Sequence, residues 1–158
     1  MGKIFFTAIA FLNAQAKSPK IEHFIRKKLK HNAVKSSDGQ GDGEKDGKYY
    51  EYKISTTNKN EKINAIQIRL WQKIDYYILG YIDEKQFDNS RLYLVPHKNM
   101  KELCNKYGTA THGTKDANDS NENVEMSFRI EIKTNNDLLK LFENNFRANE
   151  LEYIIFNI

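Results

Sequence analysis

The sequence predicts a mixed α/β fold, a mixed sheet flanked by helices, in a single domain over residues 1–158 with a C-terminal strand and helix extension. Three observations predict it. Residues 39–55 read as a β-hairpin, with Asp46-Gly47 suited to a tight turn and aromatic and β-branched residues following it. An amphipathic helix precedes the hairpin from Ser18 onwards. The strand at residues 49–55, a helical-looking stretch and a buried apolar strand at 75–83 then form a β-helix-β unit, which implies a parallel pair and a right-handed crossover. A chain of 158 residues is long enough to bury a core of this kind.

The elements follow in order. Lys3, the apolar run from Ile4 to Leu12 and Ala14-Gln15-Ala16 imitate a secretory signal peptide; the alternative is a buried helix packed on the core. Ser18 offers an N-cap and Pro19 a first helical position. Ile21, Phe24, Ile25 and Leu29 recur at helical spacing and face the core. Glu22 sits near the start of that helix, where the dipole favours a carboxylate, and Arg26, Lys27, Lys28, Lys30 and His31 make a basic run at its end. The run serves either the dipole and solubility or phosphate contact by Lys27 and Lys28.

In the hairpin, Asp42 lies near the end of the first strand, residues 44–47 turn, and residues 49–55 form the second strand. After a polar link at 55–60, Ile63, Ile66, Leu70 and Trp71 suggest an amphipathic helix from about Glu61, with Trp71 in the core and Gln67, Arg69, Gln72 and Lys73 on its polar side. Residues 75–83 read as a buried strand, and residues 91–95 as a further strand stopped by Pro96. Residues 99–107 look helical and carry Cys104 as a buried small hydrophobe. Residues 108–123 form one long irregular stretch, either a recognition loop or a plain surface loop. A strand at 124–133, a helix capped near Asn135-Asn136-Asp137 and a last strand at 153–156 complete the chain.

Composition narrows the chemistry. A formal charge of +4 and a pI near 9.0 are compatible with nucleic acid without demanding it. The single cysteine, Cys104, excludes an internal disulfide and a cysteine-based zinc site. No apolar run approaches the roughly 18 residues of a membrane span, so no membrane partner is expected. His23, His31, His97 and His112 lack zinc spacing, and there is no Walker loop, dinucleotide fingerprint or serine nucleophile elbow.

The chemistry-bearing feature is the hairpin. Glu51 and Lys53 share a strand face because side chains alternate. If Asp42 meets that face, two carboxylates and one lysine converge. Two hard oxygen ligands suit Mg²⁺, which keeps several waters and accepts phosphate oxygens. A neighbouring lysine can position water or neutralise charge on phosphate. Asp38 and Asp46 are the alternative acids; Asp46 belongs more naturally in the turn, and Asp38 lies farther from Glu51.

The pattern Asp42 … Glu51-x-Lys53 resembles the signature of the PD-(D/E)xK nucleases, the restriction-endonuclease-like superfamily, with Gly41 where the signature has proline. The order of elements resembles that family's α-β-β-β-α-β core over residues 18–96, followed by the extension at 97–158. The resemblance implies one or two Mg²⁺ ions, which Mn²⁺ can replace, held by Asp42, Glu51 and the Tyr52 carbonyl. It implies that Lys53 orients or helps deprotonate the attacking water, that Glu22 points at the metal site rather than only stabilising its helix, and that Gln67 supports the site. Arg69 and Lys73 then meet phosphate. His112, Thr114, Lys115 and Asn118 in the long loop can hydrogen-bond bases or phosphates and are the candidate DNA readers. The implied function is a type II restriction endonuclease: cytoplasmic, a homodimer on double-stranded DNA, defending against foreign DNA. The alternatives are a structure-specific or repair nuclease, a secreted nuclease toxin if residues 1–16 are a signal peptide, and a non-catalytic nucleic-acid-binding module.

Overall fold

The computed structural model describes residues 1–35, 39–57, 61–110 and 124–156. The order is α1 (Gly2–Ile9), α2 (Ala14–Lys28), β1 (Asn32–Ala33), β2 (Gly43–Lys45), β3 (Lys48–Thr56), β4 (Lys62–Ile68), β5 (Tyr76–Ile82), β6 (Arg91–Pro96), α3 (His97–Tyr107), β7 (Thr109–Ala110), β8 (Met126–Glu131), α4 (Asp137–Asn145) and α5 (Asn149–Phe156). A five-stranded mixed sheet runs β1-β2-β3-β5-β6, with β3 and β5 parallel and the other neighbours antiparallel. A second, antiparallel sheet runs β4-β8-β7. The mixed α/β class and the helix-flanked mixed sheet are therefore as expected.

Strand alternation divides the core. Ile78 and Ile82 of β5 join Tyr52, the α2 residues Ile21 and Ile25, and Ile155 and Phe156 of α5 on one face. Tyr77, Leu79 and Tyr81 point the other way, to Ile63, Ala65 and Ile68 of β4, the α3 residues Met100 and Cys104, and Phe142 of α4. The large sheet is thus sandwiched between a helical layer and a layer holding the small sheet. Each buried aliphatic side chain contributes roughly 1.5–3 kcal/mol over leaving it in water. Burial also pushes the Cys104 thiol up to about 11.

Several expectations are corrected. Helix α2 starts at Ala14, because Asn13 caps it by accepting a hydrogen bond from the Ala16 N–H at 2.9 Å; Pro19 lies inside the helix. The stretch expected as a helix after Glu61 is strand β4, so the parallel pair β3–β5 is present but its crossover runs through a strand of the second sheet. Trp71, expected in the core, is 42 % exposed. Residues 153–156 belong to helix α5, not a strand, because Ile155 and Phe156 pack beneath α1 and α2 with Leu151 one turn earlier. Residues 2–9 form the core helix α1, burying Phe6 and Ile9, with the Phe5 and Phe24 rings stacked 4.1 Å apart. Among the described residues no helix is long and apolar enough to cross a membrane.

Candidate active site

The site grows out of one turn. Asp46 and Gly47 adopt positive φ, +53° and +79°, and close a two-residue hairpin in which Lys45 pairs with Lys48 and Gly43 with Tyr50. Strand β2 is only three residues long, whereas β3 continues to Thr56. Asp42 lies just before β2 rather than at its far end, where the short strand leaves the long one. Its N–H donates to the Tyr50 carbonyl at 2.8 Å, and its Oδ2 accepts from the Tyr52 N–H at 2.8 Å. The carboxylate therefore replaces the ladder carbonyl that β2 no longer supplies. Gly41 holds φ at +84°, which proline, fixed near −65°, cannot adopt. The backbone at this position therefore excludes proline.

Glu51 and Lys53 leave β3 on the face toward the second sheet, and the Lys53 Nζ stands 3.4 Å from Glu51 Oε1, with 17 % and 15 % of the side chains exposed. Glu22 reaches the same place from α2. It lines a groove of about 450 Å³ that follows the open edge of β3, between α2 (Lys17, Ser18, Glu22) and β4 (Asn64, Ile66, Gln67). Arg26, one helical turn after Glu22, donates to the Asp42 carbonyl at 3.2 Å.

Three carboxylates are therefore crowded with two cations. Burial raises the Asp42 pKa, against the Tyr52 hydrogen bond and the charges of Lys53 and Arg26. Burial also raises Glu51, with Lys53 pulling it down and Asp42 pushing it up. Glu22 is raised by burial and then by Asp42. Each acid is thus harder to ionise than in water, and a divalent cation would relieve all three.

The structure brings together Glu22, Asp42, Glu51, Tyr52, Lys53 and Gln67. Gln67 arrives differently from the expectation: it sits on a β-bulge, where the pairing of β4 with β8 shifts between Ala65 and Ile68, and its φ is +53°. Arg69 follows β4, binds Glu125 at 3.0 Å, and its charge lowers the Glu51 pKa. Lys73 lies on the Tyr49 ring at 5.3 Å, beside the hairpin. Lys27 and Lys28 do not face the site. At about 100° per residue they turn away from Glu22, and Lys28 lies over Phe24 at 5.7 Å. Asp46 occupies the exposed turn. His112, Thr114, Lys115, Asn118 and Asp38 lie outside the described residues.

Two contributors escaped the sequence reading. Arg26 was counted only in a basic run, although its i+4 spacing from Glu22 was legible. His31 accepts or donates at 2.8 Å with the Tyr52 hydroxyl through Nδ1, and its ring lies 4.2 Å from that of Tyr50. Nothing local in the sequence marks that pair.

No protein-family model matches this chain, and no curated protein matches it.

Among the described residues no three His, Cys, Asp or Glu side chains gather closely enough to cage a metal ion. Mg²⁺ does not require such a cage; one or two carboxylates with water and substrate phosphate suffice. The donor set fits that ion. Asp42 spends one oxygen on Tyr52, leaving the other without a hydrogen bond among the described residues. Among the described residues, the ion pair that Glu51 makes is with Lys53. The Tyr52 carbonyl points to the same side of β3 as its N–H, toward Asp42 and past the end of β2.

Proposed function

We propose that this chain is a metal-dependent endonuclease that hydrolyses DNA phosphodiester bonds, acting as a type II restriction enzyme in the cytoplasm and as a homodimer on double-stranded DNA. The observation that carries the reading is the convergence of Asp42, Glu51 and Lys53 at the open end of the hairpin, beside a groove. Those are the positions and residue types that the PD-(D/E)xK signature requires.

Asp42, Glu51 and the Tyr52 carbonyl are the groups that would hold Mg²⁺, with Mn²⁺ as a substitute. When bound, such an ion neutralises charge on the phosphate and makes water more acidic. Lys53 contributes an ammonium beside Glu51, able to donate to the attacking water or to a phosphoryl oxygen. Glu22, across the groove, offers a carboxylate that can accept a proton or order water. Gln67 lines the groove from the β4 side, and Arg69, just after β4, carries a charge that acts on Glu51; both could donate to phosphate oxygens. Arg26 ties α2 to the Asp42 segment, so the two walls keep their spacing.

Digestion of unmethylated phage DNA with Mg²⁺, against an EDTA control, tests the reading. Discrete metal-dependent fragments are expected. Nicking or smearing would shift the assignment to a structure-specific nuclease, and intact DNA and RNA in the presence of folded protein and metal would contradict it.

A further inference from the structure

Seven large hydrophobic side chains are exposed among the described residues, and five of them, Met1, Ile4, Phe11, Tyr153 and Ile154, belong to α1 with its flanking turns or to α5. Phe11 is 84 % exposed and Ile4 72 %. A helix that is apolar all round is normally covered. Between α1 and α2 runs a groove of about 760 Å³ with Phe5, Phe11, Leu12 and Phe24 in its walls and Lys20, His23 and Lys27 at its rim; among the described residues no carboxylate lines it. Helix α5 packs against both α1 and α2. Its outer face presents Glu150, Tyr153 and Ile154 at i, i+3 and i+4, an apolar ridge headed by an acid. One helical layer therefore carries a basic-rimmed apolar groove and an acid-headed apolar ridge.

We propose that the occupant of this groove is a second copy of the chain, the α5 ridge of each copy seating in the α1–α2 groove of the other. A two-fold contact needs a surface that complements itself, and here an acid-headed apolar ridge answers a basic-rimmed apolar groove. Glu150 of each copy then meets Lys20 and Lys27 of the other, while Tyr153 and Ile154 cover Phe11. The assembly leaves the β3-edge groove open, because Glu22 and Lys27 lie on different flanks of α2. The proposal names a face, and it holds whether or not the site cleaves DNA.

Sedimentation equilibrium of the full chain at micromolar concentration tests it, with circular dichroism to confirm folding of each variant. The wild type is expected at twice the chain mass. Phe11→Asp and Lys27→Glu are expected to weaken association at least about tenfold, or about 1.4 kcal/mol. Adding Glu150→Lys to a Lys20→Glu, Lys27→Glu variant is expected to restore it, since the charges are then exchanged on both sides. A monomeric wild type would overturn the proposal, as would a dimer indifferent to Phe11→Asp and Lys27→Glu. A monomer that floats with anionic phospholipid vesicles would also overturn it and give the face to lipid.

Discussion

The backbone N–H of Tyr52 donates to the Asp42 carboxylate at 2.8 Å, so the first acid of the motif is fixed to the middle residue of Glu51-x-Lys53. This bond exists because β2 stops short of β3, leaving an N–H that only a side chain can satisfy. It also aims the Tyr52 carbonyl at the space beside Asp42. The geometry of the proposed centre is thus a property of strand lengths as much as of the three side chains.

On the proposed reading, Lys53 serves the reacting groups rather than the placement of DNA. Lys53→Ala is expected to lower cleavage by at least about 10², the scale of losing a positioned proton-transfer or electrostatic group. DNA affinity, measured by fluorescence anisotropy with Ca²⁺, is expected to stay within a few-fold. An equal loss of binding and cleavage would assign Lys53 to DNA binding.

Gln67 separates stability from activity. Its φ of +53° is strained for a residue with a Cβ. Gln67→Gly is expected to leave stability unchanged or raise it by up to about 1 kcal/mol, the relief being offset by chain entropy. Cleavage should fall about tenfold as the groove loses its amide. A variant both destabilised and fully active would remove Gln67 from the site.

Gly43 guards the hairpin from the other side. A Cβ there would collide with the Tyr52 hydroxyl and press on His31. Gly43→Ala is expected to cost about 1–3 kcal/mol, lowering Tm by about 2–4 °C for each kcal/mol in a chain of this size. Thermal unfolding by differential scanning calorimetry reads this directly, and an unchanged Tm would mean that the ring has room to move.

His31 gives a pH signature. Burial, and then the Lys45 charge, lower its pKa from 6.5 to about 4. The unfolded chain takes up the proton below 6.5 while the folded one does not until about 4, so stability present above 6.5 is lost as the pH falls through that window. The loss is of order 1 kcal/mol, discounted because the ring is half exposed. Urea unfolding of wild type and His31→Gln at pH 7 and pH 5 checks it. The difference between the two proteins should change across that interval, and parallel losses would exclude His31 as the source.

The hairpin was legible because its signals are local: Asp46-Gly47 demands the turn, and alternation places Glu51 with Lys53. The buried strand was legible because residues 75–83 are apolar on both faces; its parallel pairing with β3 is present, but was expected through a helix where the structure has strand β4. Strand β4 was not. The apparent helical spacing relied on Ile66 and Trp71, which are exposed, whereas the strand buries Ile63, Ala65 and, after the bulge, Ile68. In α5, four consecutive apolar residues carry no period, so only packing beneath α1 and α2 decides between helix and strand. The Asn13 cap was overshadowed by Ser18-Pro19, a stronger local signal four residues inside the real helix. At the site, the residues close in sequence were found, while the His31–Tyr52 pair, joined only by tertiary packing, was not.

The most direct test of the central claim is relaxation of supercoiled plasmid with Mg²⁺ by wild type and Glu51→Ala side by side, each shown to be folded. The account predicts cleavage by the wild type, abolished by EDTA and reduced at least about 10² in the variant. Cleavage that survives Glu51→Ala would contradict the assignment of this hairpin as the active centre.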